Sequence, residues 1–326
     1  MSAAHQEASP VLAEVVRSGV VESRHRGRAV LLHADGAVAW TAGDVEEPVL
    51  ARSTTKPFQA VAMVRAGLRA DPELLAVAAA SHDGTSAALA AVSRLLDLGR
   101  LAEDDLGCPT AYPGSATERD AWLARGWAPR RAAMNCSGTH AGLLATCRAN
   151  GWPTLAYLRD DHPVQQAVAR ELASAAGEPV PFTGVDGCGA PVSAASLVGL
   201  ARAARSLALA GPASPGRAVA DAMRAHPQLV AGEGRDVTVA MAATPGLLAK
   251  DGAEGVFLAA SGDGRAVALK IDDGAERARV AAAAALLGWL GAPLGTPVVL
   301  LGAGRPVGSV RASALLAAAT GAPDPS

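Results

Sequence analysis

Residues Gly255–Ile271, GVFLAASGDGRAVALKI, read as two short apolar strands around the turn Gly262-Asp263-Gly264. Glycine and aspartate between β-forming runs are a hairpin signal. The same pattern stands early in the chain, where Arg28–Ala34 (RAVLLHA) and Ala37–Thr41 (AVAWT) flank Asp35-Gly36. Beyond the late hairpin, Ala275–Leu290 has helical spacing, and Pro297–Leu301 and Pro306–Arg311 read as strands again. The long middle differs. Phe58–Leu68, Glu73–Ala80, Ser86–Leu98, Ala141–Ala149, Val164–Ala176 and Val192–Leu209 are Ala/Leu-rich at helical spacing. Loops carrying Gly, Pro and Asp join them at Gly107–Gly114, Ala133–His140 and Pro179–Pro191. Strands at both ends around a helical middle predict an α+β fold, with one antiparallel sheet built from both chain ends plus a helical lobe. A single catalytic domain is expected over residues 11–320. Its sheet part covers about 11–52 and 237–320, its helical lobe about 53–236, and residues 1–10 form a disordered tail.

The 326 residues are 50% hydrophobic, enough to bury a large core. A formal net charge of −2 gives nucleic acid or an anionic membrane no reason to bind. The N-terminus, MSAAHQEASP, has neither the basic nor the apolar region of an export signal, and Val280–Leu290 is too short an apolar run to span a bilayer. Cys108, Cys136, Cys147 and Cys188 are widely spaced with no CxxC, so free thiols and a cytoplasmic location are expected.

The sharpest local feature is Arg52-Ser53-Thr54-Thr55-Lys56-Pro57-Phe58, where sheet gives way to helix. In a helix Ser53 and Lys56 share a face. A serine hydroxyl is a poor nucleophile until a base takes its proton, and a lysine can do so when burial or a nearby cation leaves its amine neutral. The plain alternative is an N-cap serine beside a surface lysine, which S-x-x-K alone does not exclude. Context favours chemistry. Ser81 stands in Ala80-Ser81-His82-Asp83-Gly84, and Lys250 opens Lys250-Asp251-Gly252-Ala253-Glu254-Gly255 before a predicted strand. S-x-x-K, a later serine element and K-x-G before a strand follow one another as in serine acyl-transferring enzymes of the β-lactamase and penicillin-binding class. Two more loops stand out. Met134–Gly142 (MNCSGTHAG) sits directly before a helix, where backbone N–H groups can receive an anion. Gly184–Pro191 (GVDGCGAP) holds one carboxylate and one thiol on a glycine-rich turn. Taken singly, Gly184–Pro191 also reads as a structural turn with a buried cysteine, Ser81 as a loop or cap serine, His82 as a surface or satisfied histidine and Lys250 as an exposed turn lysine.

Together, RSTTKPFQA (Arg52–Ala60), the ASH loop (Ala80–His82), NCSGTHAG (Asn135–Gly142), GVDGCGAP (Gly184–Pro191), HPQLVAGEGR (His226–Arg235) and KDGAEGV (Lys250–Val256) resemble the L-asparaginase II family of the Rhizobium type. Its fold is similar to that of serine β-lactamases and glutaminases. The resemblance implies hydrolysis of L-asparagine to L-aspartate and ammonia by a cytoplasmic homodimer. It makes Ser53 the nucleophile and Lys56 its base, with Ser81 and Lys250 as a second serine–lysine pair in proton relay and transition-state stabilisation. Thr85 competes with Ser81 for the second hydroxyl role, and Lys270 is a weaker substitute for Lys250. Asp186 is expected to hold the substrate ammonium, and Arg52, Asn135 or His140 its carboxylate. The family's cysteine loop usually reads NCSGKH, its lysine joining two cysteines around zinc. Here that position is Thr139, which leaves Cys136 and Cys188 one ligand short; no cofactor is expected to be required, with zinc at the two cysteines as the alternative.

Rival readings follow from the same residues. A changed pocket on this scaffold could take glutamine, another amide or a β-lactam. A non-catalytic descendant could bind an amino acid through Asp186 and the Asn135–His140 loop. A purely structural protein gives no reason for serine–lysine elements in this order.

Overall fold

The computed structural model describes residues 9–292 and 297–321. Most of the expected N-terminal tail lies outside the described residues. In chain order, β1 (Val11–Arg17), β2 (Val20–Leu32), β3 (Val38–Ala42) and the short β4 (Val49–Leu50) come first. A 3₁₀ turn, Arg52–Thr55, leads into α1 (Lys56–Arg65), α2 (Pro72–Ala78), α3 (Ser86–Leu98), α4 (Ala116–Ala124), α5 (Ser137–Ala149) and α6 (Pro163–Ala176). Then come β5 (Thr183–Val185), β6 (Pro191–Ala195), α7 (Leu197–Ala208), α8 (Pro215–Ala225), α9 (Pro227–Val230) and α10 (Asp236–Ala243). The chain closes with β7 (Leu248–Gly252), β8 (Val256–Ala260), β9 (Ala266–Ile271), α11 (Glu276–Trp289), β10 (Val298–Gly302), β11 (Arg305–Ala312) and α12 (Ala314–Thr320).

Two compact units result. The first holds the described residues of Met1–Thr54, Ala195–Leu209 and Val239–Ser326. Its antiparallel sheet runs β10-β11-β1-β2-β9-β8-β7, with β3 also on β2. The sheet is therefore made from both chain ends, and the α+β class holds. Strand β2 is the hinge of this arrangement. Its first half pairs with β1 from Arg17↔Val20 to Val11↔Arg26, and its second half pairs with β9 from Gly27↔Ile271 to Leu32↔Ala266. Alternate residues of the first half are exposed, whereas Arg28–Leu32 are all buried. Successive strand residues face opposite ways, so both faces of the sheet are covered there. Helix α7 packs on β2, β8 and β9, and α11 on β1, β9 and β11.

The second unit, Thr55–Ala194 with Ala210–Thr238, is helical. Helices α1, α2, α5 and α8 form its centre, with α3, α6 and α9 packed around them. Its helices start where short polar side chains meet free N–H groups: Asp71 accepts from Leu74, and Ser115 from Glu118. Proline in the first turn of α1, α6 and α8 has no N–H to leave unpaired.

The expected helix over 192–209 is in fact strand β6 followed by α7. Pro191 and the small residues after it zip onto β5 from Thr183↔Ser193 to Val185↔Pro191, and Ser196 caps the new helix by accepting from Gly199 N–H. A short apolar run fits strand and helix equally by spacing. Helix α7 also falls within the expected helical lobe, about 53–236, yet it packs on the sheet.

Candidate active site

In the sheet unit, the 3₁₀ turn carrying Arg52 and Ser53 is strained and pinned. Arg52 adopts φ 51°, a left-handed conformation that non-glycine residues hold only when their surroundings impose it. Its guanidinium lies 3.9 Å from Glu254. Thr54, fully buried, donates its hydroxyl to Ala51 O at 2.5 Å. The half-buried Ser53 lies beside the end of β7: a Cβ placed on Gly252 would come within 3.3 Å of Ser53 N and 3.2 Å of Thr54 Cγ2. The K-x-G element thus brings bare backbone against the serine turn, as a small residue permits. Lys250, on β7, is fully buried and donates to Asp251 Oδ1 at 2.8 Å and to Asp251 O at 2.7 Å.

In the helical unit the polar groups gather on Lys56. Its side chain is buried, and Nζ donates to Ala80 O at 2.7 Å, Ser81 Oγ at 3.1 Å and Cys136 Sγ at 3.0 Å. Backbone bonds hold the Ser81 loop in place, Ser81 N–H donating to Val230 O at 2.9 Å and His82 N–H to Asn135 O at 3.1 Å. His82 is structural. Its Nδ1 accepts from Gly84 N–H at 3.1 Å, so Nε2–H donates to Ser137 Oγ at 2.8 Å, and that hydroxyl donates to Ala132 O at 2.7 Å. Burial, reinforced by the charge of Lys56, holds the imidazole down to about 3, neutral at ordinary pH. Of the two candidate hydroxyls in this loop, Ser81 lies against Lys56, whereas Thr85 caps α3 by accepting from Ala88 N–H.

Cys136 reaches Lys56 because α5 lies flush on α2. A Cβ on Gly138 would stand 2.4 Å from Val77 O, so only glycine allows that approach. Cys136 also donates to the exposed Asn135 through Oδ1 at 3.1 Å. The Cys188 thiol donates to the Cys136 sulfur. That bond, helped by the Lys56 charge and hydrogen bond against the opposing effect of burial, pushes Cys136 down to about 6, while Cys188 is pushed up in return. Asp186, half-buried on the β5–β6 turn, is fixed by Gly187 N–H donating to Oδ1 at 2.7 Å and Gly189 N–H donating to its carbonyl at 2.8 Å. His140 is fully buried, 2.5 Å from Tyr157 Oη through Nδ1, and burial, then Lys56, holds it down to about 3. The charge of Asp186 acts on both Cys136 and His140. The helical unit therefore brings together Lys56, Ser81, Asn135, Cys136 and Cys188, with Asp186 and His140 close by. The sheet unit carries Arg52, Ser53 and Lys250, and the weaker candidate Lys270 lies on β9. Sequence reasoning missed Tyr157 and Ser137, and no motif around Tyr157 (PTLAYLRD) marks it.

The donors do not complete a zinc site. Thr139, at the family's third-ligand position, is buried with its hydroxyl donating to Ala78 O at 2.9 Å. Among the described residues no three His, Cys, Asp or Glu side chains converge. Two thiols joined by a hydrogen bond fall short of the three or four protein ligands that zinc takes.

The sequence profile of the L-asparaginase II family matches residues 13–309, from β1 into β11. The chain belongs to the L-asparaginase II family. Membership places it among hydrolases that act on amides. Two solved structures are similar to this family member. A β-lactamase from Mycobacterium bovis shares 15% identity over 78% of this chain and 89% of its own, with a TM-score of 0.41. EstCE1, described as a hydrolase with promiscuous acyltransferase activity, shares 13% over 80% of this chain and 88% of its own, with a TM-score of 0.38. At those scores the likeness is loose, and the fold assignment rests on the sheet order and helices described above. Comparison with curated proteins found no match. Among the described residues no helix is long and apolar enough to cross a membrane.

Proposed function

We propose that the protein hydrolyses L-asparagine to L-aspartate and ammonia, with Ser53 as nucleophile and Lys56 as its base. The observation that carries the reading is the setting of Lys56. It is a buried amine whose hydrogen-bond partners among the described residues are a carbonyl, a hydroxyl and a thiol, none a carboxylate. Such an amine can give up or regain a proton without breaking an ion pair to a carboxylate. Ser53 and Lys56 stand three positions apart in the sequence, where the 3₁₀ turn runs into α1.

In this reading Lys56 takes the Ser53 proton as the hydroxyl attacks the side-chain amide carbon. Backbone N–H groups near Ser53 and on the strand after Lys250 receive the oxyanion, each contributing about 3 kcal/mol. The proton passes to the leaving ammonia, with Ser81 as relay and Lys250 as a fixed positive charge. Water then releases aspartate from the acyl-enzyme. Asp186 pairs with the substrate ammonium, and Arg52, Asn135 or His140 with its carboxylate. Turnover needs no metal, because Cys136, Cys188 and Thr139 supply too few ligands. The protein acts in the cytoplasm as a homodimer, an assembly that analytical ultracentrifugation tests directly.

The deciding experiment is ammonia release from L-asparagine, L-glutamine and simple amides, with and without chelator, by the wild type and by Ser53→Ala. Asparagine should be turned over best, the chelator should change nothing, and the variant should be folded but inactive. Ammonia release by Ser53→Ala at the wild-type rate would remove the nucleophile assignment. Silence of the wild type on every amide would remove the enzyme.

A further inference from the structure

Among the described residues four buried histidines can be compared by what their ring nitrogens meet. His82 is paired through both, to Gly84 N–H and to Ser137. His162 is paired through both, accepting from Val164 N–H and donating to Pro153 O. His25 meets Asp273 on one side and Arg277 on the other. His140 breaks the pattern. Its Nδ1 meets Tyr157, but Nε2 is buried with no hydrogen-bond partner among the described residues. A buried polar atom left unpaired is costly and rare, and it marks a place where another molecule supplies the partner.

Which partner depends on where the imidazole proton sits, and Tyr157 decides that. The Tyr157 oxygen accepts from Gly107 N–H at 2.8 Å. Its own hydrogen needs an acceptor, and the His140 Nδ1 lone pair lies 2.5 Å away. An imidazole that accepts through Nδ1 carries its proton on Nε2. The chain from Gly107 N–H through Tyr157 O–H to Nδ1 therefore fixes one tautomer. The geometry is built for it: the two rings meet edge to face at 89°. A Cβ on Gly107 would stand 3.0 Å from the Tyr157 oxygen and 2.7 Å from Leu158 Cδ1, crowding the hydroxyl off its place. His140 also lies near enough to Lys56 and Asp186 for both charges to act on it.

The geometry points to Tyr157 as a positioning residue that locks His140 as an Nε2–H donor, so that His140 recognises an acceptor oxygen of the bound amide substrate and turns away a donor. This rests on the amidohydrolase reading for the identity of the ligand. The tautomer itself does not. Tyr157 touches no reacting atom in this scheme, and the imidazole serves recognition rather than proton transfer.

Nitrogen NMR of protein labelled at histidine tests it, with the His140 signals assigned from the spectrum of His140→Gln. The wild type should show a proton on Nε2 and an unprotonated Nδ1, unchanged from about pH 6 to about pH 8. Tyr157→Phe should give a mixture of tautomers and raise KM for the amide substrate about tenfold, with kcat moving less. In His140→Gln the amide N–H stands where Nε2–H stood and there is no tautomer to set, so adding Tyr157→Phe should move KM by no more than about twofold. A wild-type proton on Nδ1 overturns the proposal, as does a folded Tyr157→Phe with the wild-type tautomer and KM. Ammonia release by the wild type judges the hydrolase reading separately, since the nitrogen spectrum needs no turnover.

Discussion

Lys56, in the helical unit, and Lys250, in the sheet unit, are both buried and keep opposite company. Lys250 sits 2.8 Å from the Asp251 carboxylate. Lys56 sits on a carbonyl, a hydroxyl and a thiol. A buried ammonium is very costly unless it is paired and hydrogen-bonded. At Lys250 the adjacent Asp251 carboxylate answers that cost. At Lys56 the partners are the Ala80 carbonyl, the Ser81 hydroxyl and the Cys136 sulfur, none of them a carboxylate. In the proposed mechanism this contrast gives the permanent positive charge to Lys250 and the movable proton to Lys56. It is also why the proposed base is Lys56 and the proposed electrostatic support is Lys250, although the two side chains are equally hidden from water.

The largest effect should come from the movable proton. Lys56→Met, like Ser53→Ala, should cut ammonia release by about 10⁴-fold or more. Its thermal midpoint should stay at or above that of the wild type, because an apolar side chain of similar volume replaces a buried amine. Lys250→Met should do the reverse in stability. It removes the lysine paired with the mostly buried Asp251 carboxylate, which should cost about 3 kcal/mol in urea unfolding, and adding Asp251→Asn should restore most of it. If Lys56→Met unfolds more readily than Lys250→Met, the contrast between the two lysines is wrong.

The same contrast shows what a sequence can carry. The hairpins around Asp35-Gly36 and Gly262-Asp263-Gly264 were legible because turn chemistry is local. A sheet drawn from both chain ends was legible from strands at both termini, though not that β2 pairs with β9. Strand β1 went unread although Ser18 and Gly19, both at positive φ, turn it into β2. The β6–α7 boundary was misread because Val192–Ala195 fits either element. In the site, RSTTKP and KDGAEG announce a serine and two lysines, but nothing local says which lysine meets a carboxylate. Asp251, adjacent to Lys250, was in plain view. Cys136, which lies 80 positions from Lys56, was not, and only the packing of α5 against α2 and α1 reveals the contact. Tyr157 was invisible for the same reason, since its role depends on Gly107, 50 positions away, and on His140.

Next in size is a pH effect that both histidines near Lys56 should show. His82 and His140 are each held down to about 3, burial being the first cause and the Lys56 charge the second. Between about pH 6.5 and about pH 3 the unfolded chain binds a proton at each that the folded chain refuses. Stability should therefore fall as pH drops through 6.5, by about 1.4 kcal/mol per pH unit for each histidine. Urea unfolding between about pH 6.5 and about pH 5 measures it. Because burial dominates, the slope should survive in Lys56→Met. A slope that vanishes there would make Lys56 the main cause, and its ammonium a fixed charge like that of Lys250.

The smallest effect distinguishes the two hydroxyls of the Ser81 loop. Thr85 serves helix α3, its Oγ1 accepting from Ala88 N–H at the first turn. Thr85→Ala should therefore cost about 1 kcal/mol of stability, the usual value of an N-cap, and leave the rate of ammonia release per folded molecule unchanged. Ser81 caps no helix and lies against Lys56. Ser81→Ala should spare the melting temperature and slow turnover, because the proton on Lys56 loses its neighbouring hydroxyl. The two variants thus move different observables from positions four residues apart. Were Thr85→Ala to slow turnover while Ser81→Ala did not, the relay would belong to Thr85, and the hydrogen bond from Lys56 to Ser81 would be packing alone.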